Sequence, residues 1–172
     1  SGGEISNNTT TNFGGGVFNK RGIFTMSDGT TISGNKAMYG GGVYKESGTF
    51  TMSGGTITGN ESAGMSANAS GGVYNDADAF TMSGGTITQN KSQCDGGGVY
   101  NKSGTFEMSG GAITDNETKE YGGGVCNEDG TFEMSGGEIT RNKSEKNGGG
   151  VQHASQEPFK MSGTAKITNN TA

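Results

Sequence analysis

Three observations on this 172-residue chain predict an all-β protein. They specify a right-handed parallel β-helix, a solenoid with three strands per coil of about 26 residues and about six to seven coils. The first is that long stretches of text return. "GGGVYKESGTFTMSGGTITGN" at 40–60 is nearly "GGGVYNKSGTFEMSGGAITDN" at 96–116. The second is that apolar residues keep time with those returns. The third is that apolar residues alternate with period two in short stretches, and no stretch carries the 3.6-residue spacing of an amphipathic helix.

Composition alone points elsewhere. With 36 Gly, no Trp and 27% hydrophobic residues, the chain has the mixture that ordinarily buries too little apolar area to offset chain entropy. Periodicity overturns that reading, because a disordered spacer needs no clock. Val recurs at Val17, Val43, Val73, Val99, Val125 and Val151, at intervals of 26, 30, 26, 26 and 26. Phe24, Phe50, Phe80, Phe106, Phe132 and Phe159 follow the same schedule, each two places before Met26, Met52, Met82, Met108, Met134 or Met161.

A third column is Ile32, Ile57, Ile87, Ile113, Ile139 and Ile167, with a partial copy at Ile5. Three residues after each comes Asn: Asn8, Asn35, Asn60, Asn90, Asn116, Asn142 and Asn170. Within one unit, "GGGVYN", "TFTMS" and "TIT" read as three short strands separated by glycine-bearing turns. Stacking the units in register gives parallel strands about 4.8 Å apart, and crossovers between parallel strands are right-handed. Val, Phe, Met and Ile then point inward, and one coil cannot stand alone without its neighbours.

The Asn column predicts a buried ladder, centred on Asn35, Asn60, Asn90, Asn116 and Asn142, in which each amide donates to one copy and accepts from the other. These positions also read N-x-[ST] or N-x-A, superficially glycosylation acceptors, but periodic placement at a turn accounts for them without an enzyme. The one long interval puts its extra residues in "ESAGMSANAS", 61–70, which is expected to bulge outward while the columns stay aligned.

"GGGVY" alternating with "ITGN" along nearly the whole chain resembles the repeats of polymorphic outer-membrane protein passengers. It is also similar to the GGGV repeats of large bacterial surface proteins with a pectate-lyase-like β-helix. Here the second motif begins with Ile rather than Phe, and the first has a third Gly in place of Ala. The resemblance implies a bacterial, extracellular or cell-surface setting, with a rigid stalk or adhesive passenger as the role and a host or cell-surface glycan or protein as partner. Fold kinship alone does not fix function. The chain opens midway through a repeat at "SGGEIS" and closes at "ITNNTA", so residues 1–172 read as a single solenoid domain cut from a longer array, with uncapped coils suited to end-to-end self-association.

Charge and chemistry narrow the functions. A net charge of −5 with no basic run argues against nucleic acid, and no segment of about 18 apolar residues suggests a membrane span. Cys126 takes the outward place after Val and Cys94 lies in a variable loop, a separation that predicts free thiols. Two cysteines and lone His153 are too few for a metal cluster, so no metal and no cofactor are expected. Polysaccharide lyase or hydrolase chemistry needs clustered acids and a base. Glu107, Glu133 and Lys160 on consecutive coils come nearest, and they also read as a solvated face, so no catalytic residue is assigned. Asp115 with Arg141, and Glu138 with Lys166, suggest charge matching between coils.

Two stripes compete as binding faces. Phe18, Tyr44, Tyr74 and Tyr100 point outward in register, which suits either sugar rings and a protein partner or, more simply, packing between parallel strands. Thr56, Thr58, Thr86 and Thr88 form Thr-x-Thr pairs that resemble the arrays of ice-binding solenoids, interrupted by Glu4, Ala112, Glu138 and Lys166. The alternative reason for outward Thr is β-propensity.

Overall fold

The computed structural model describes residues 2–64 and 68–172; the middle of the 61–70 loop, residues 65–67, lies outside the described residues. The chain winds as a parallel β-solenoid whose repeated strands stack into four sheets. The Val sheet has six strands, from Val17–Asn19 to Val151–His153. The Phe–Met sheet has six, from Ile23–Met26 to Phe159–Met161. The Ile sheet has seven, from Glu4–Ser6 to Lys166–Thr168. The fourth sheet, beyond the three read from the repeat text, comprises five two-residue strands just after the ladder Asn, from Lys36–Ala37 to Lys143–Ser144.

Register follows the columns. Val43 pairs with Val73 across the long interval, so the extra residues leave the stack aligned. Inside, Val43, Phe50, Met52 and Ile57 are fully buried, as are their counterparts in the next coil. Consecutive rings from Phe50 to Phe132 lie 4.6 to 4.9 Å apart with planes within 7° of parallel, because the ring spacing must equal the coil rise.

Two backbone positions explain the glycine text. The last Gly before each Val faces the core corner: a Cβ on Gly98 would stand 2.7 Å from the Gly124 oxygen, 2.8 Å from Ile113 Cγ2 and 3.0 Å from Asn116 Nδ2. The residue before each ladder Asn turns the chain in the left-handed region, at φ 62° for Gly34, 61° for Gly59, 55° for Gln89, 57° for Asp115 and 55° for Arg141. Glycine enters that region freely and the other three do so at a cost.

The ladder is continuous. Asn60 Nδ2 donates to Asn90 Oδ1 at 2.9 Å and, toward the preceding coil, to the Ile32 carbonyl at 3.0 Å. The same Asn90 Oδ1 accepts the Asn60 backbone N–H at 3.0 Å. Asn35, Asn90, Asn116 and Asn142 repeat this pattern in buried positions, and Asn8 and Asn170 extend it at the ends.

On the outside, the fourth sheet alternates in sign: Lys36, Glu61, Lys91, Glu117 and Lys143 stand in register. Ion pairs join Lys36 to Glu61 at 2.9 Å and Glu117 to Lys91 and Lys143 at 3.5 and 3.6 Å. Their neighbours Ala37, Ser62, Ser92, Thr118 and Ser144 form a buried column of small side chains.

Candidate functional site

The aromatic stripe requires a correction. Its side chains do leave the apolar core, but Tyr44, Tyr74 and Tyr100 are only 7%, 4% and 1% exposed, whereas Phe18 is 45% exposed. Tyr39 and Tyr121, from variable segments between the coils' regular strands, pack against the column. Tyr44 and Tyr74 stack at 4.6 Å, and Tyr74 and Tyr100 at 5.0 Å. The flat strip suited to sugar rings is therefore covered, and packing is what the column does.

Acids at the ends of the Val-sheet strands, and one in a covering segment, close it. Tyr44 donates its hydroxyl to Asp76 at 3.0 Å. Tyr100 donates to Asn68 Oδ1 at 2.5 Å and to the Glu128 carboxylate. Asp95 accepts the backbone N–H groups of Asn68 and Tyr121, both at 3.2 Å, and so ties two covering segments together. Burial raises the pKa of all three tyrosines, with Asp76 adding to it at Tyr44 and Glu128 at Tyr100. Burial likewise lifts the Asp95 carboxyl above the usual range. Cys126 occupies the tyrosine place in its coil; it and Cys94 are free, buried thiols pushed up by desolvation.

The Thr face is a compact array. Thr31, Thr56 and Thr86 form one outward column of the Ile sheet, and Ser33, Thr58 and Thr88 the other, all half-buried. Thr56↔Thr86 and Thr58↔Thr88 are register partners. Glu4, Ala112, Glu138 and Lys166 take over the first column on either side. The second stays hydroxylated from Ser6 to Thr168, but Arg141 lies across Thr114 at 2.9 Å and grips Asp115 at 2.9 and 3.0 Å. That pair is one of the two expected from sequence, and Arg141 with Thr114 lowers the Asp115 pKa. Glu138 and Lys166 are register partners.

Glu107, Glu133 and Lys160 do come together. They line an open groove of about 420 Å³ with Thr81, Ser109 and Ser135. Lys160 donates to Glu133 at 2.6 Å, which offsets the like charge of Glu107 beside it.

A second polar column went unnoticed in the sequence, although "GGGVYN" carries it two places after each Val. Asn75 donates to Asn101, and Asn101 to Asn127, both at 2.6 Å; Asn127 and His153 Nδ1 are 3.1 Å apart. Lys45 stands in this column, fully buried, its amine donating to the Gly48 carbonyl at 2.9 Å and to the Ala77 carbonyl. Desolvation lowers its pKa to about 8.

Among the described residues no group of three or more His, Cys, Asp or Glu is placed to hold a metal ion, and no helix is long and apolar enough to cross a membrane. Comparison with protein families, with curated proteins and with solved structures finds no match.

Proposed function

We propose that this chain is a rigid structural repeat module, a stalk or passenger segment of a bacterial cell-surface or secreted protein, without catalytic activity. The observation that carries this reading is that the regular apolar, amide and tyrosine columns run inward or under cover, from coil to coil without a break in register. Solution scattering tests it: a stiff rod growing by about 4.8 Å per coil is expected, with no turnover of polygalacturonate or similar polymers. A flexible chain, or turnover lost in Glu133→Gln, overturns the proposal.

Glycan or protein binding belongs to the adhesive form of this proposal. With the tyrosines covered, the accessible aromatic group is Phe13 and Phe18, 6.0 Å apart, and binding to a glycan array is expected to fall in Phe18→Ala. End-to-end association is a further part, resting on the half-buried Phe24 and Phe159 of the terminal coils; it predicts a concentration-dependent sedimentation coefficient.

The three-by-two hydroxyl array favours ice binding as the second reading. Thr56→Lys with Thr86→Lys should then abolish ice-crystal shaping. Thermal hysteresis removed by those changes would replace the stalk reading with this one.

A further inference from the structure

We propose that Lys45 and Asn75 form an intramolecular amide cross-link that staples adjacent coils. The two residues are register partners on neighbouring strands of the Val sheet, and both side chains are fully buried. Elsewhere in the column each Asn oxygen receives the amide of the coil before it, as Asn101 receives Asn75. Asn75 Oδ1 has no hydrogen-bond partner, because Lys45 stands where its donor would be. Both side chains lie against one turn. The Lys45 amine donates to the Ala77 carbonyl, while a Cβ placed on Gly104 would meet Asn75 Nδ2 at 2.5 Å and the Ala77 carbonyl carbon at 3.0 Å. The Gly48 turn holds the amine from the other side, where Lys45 donates to the Gly48 carbonyl at 2.9 Å.

The chemistry balances without a co-reactant. The neutral Lys45 Nζ attacks Asn75 Cγ, the new C–N bond forms, the Cγ–Nδ2 bond breaks and Nδ2 leaves as ammonia. One proton of the attacking amine passes to the leaving nitrogen, so the step consumes nothing else. Desolvation of an amine is what activates lysine as a nucleophile, and the lowered pKa of Lys45, about 8, keeps a fraction neutral near physiological pH.

Intact-mass spectrometry of the folded full chain, incubated at neutral pH, tests the proposal. The expected result is the loss of one ammonia, with a proteolytic peptide joining the segments around Lys45 and Asn75. Lys45→Asn, which supplies the missing ladder donor and so keeps the fold, should retain full mass. A folded wild-type chain that keeps its full mass overturns the proposal. So does an ammonia loss that persists in Lys45→Asn, since it would arise from a succinimide elsewhere.

Discussion

Each interior ladder asparagine has both amide hydrogens and both oxygen lone pairs engaged, which makes the column costly to break and uneven along its length. Asn90→Ala leaves the Asn60 backbone N–H and one Asn60 amide hydrogen without partners, at about 1–3 kcal/mol for each buried group. Asn170, half-exposed at the end, has water as a substitute, so Asn170→Ala should cost about 1 kcal/mol or less. Denaturant midpoints of the two variants check the contrast. The tyrosine column gives a second residue-scale expectation. The folded pKa values of Tyr44, Tyr74 and Tyr100 lie above that of the unfolded chain, so their contribution is fully present below about pH 10 and is lost as pH rises beyond it. Tyrosinate absorbance from these rings should therefore appear together with loss of the β-sheet circular-dichroism signal. Period two correctly sent these rings away from the core, but what covers them comes from the aperiodic segments around Asn68, Asp95 and Tyr121, where no column gave notice.

At the scale of the element, the strands were legible because each is short, alternates cleanly and recurs. The turns were less so. The corner before each ladder Asn demands a left-handed backbone in every coil, yet glycine supplies it only at Gly34 and Gly59. Gln89 holds φ 55° without a Cβ-free backbone. A left-handed side-chain-bearing residue costs about 1–2 kcal/mol and glycine loses about 0.5–1 kcal/mol in chain entropy, so Gln89→Gly should raise stability by up to about 1 kcal/mol. A higher thermal midpoint is the expected readout. Arg141→Gly should not show that gain, because it also gives up the contacts to Thr114 and Asp115. The fourth sheet escaped detection for a related reason: two-residue strands such as Glu61–Ser62 and Lys91–Ser92 are too short to show alternation, and only their stacking identifies them.

For the whole molecule, identical columns suggest that any coil can replace any other, and the Phe, Ile and Asn columns permit that. The outer line of Lys36, Glu61, Lys91, Glu117 and Lys143 does not. Excising residues 96–121 would rejoin every apolar column while setting Lys91 against Lys143. Like charges directly opposite cost about 0.2–1 kcal/mol, and added salt should relieve the penalty. Adding Lys143→Glu to that deletion should recover the loss at low salt and change little at high salt, as chemical denaturation with urea would show. Excising 70–121 instead brings Glu61 beside Lys143 and restores the opposite signs. Growth or contraction of such an array carries a parity: coils are gained or lost without an electrostatic fault only in twos.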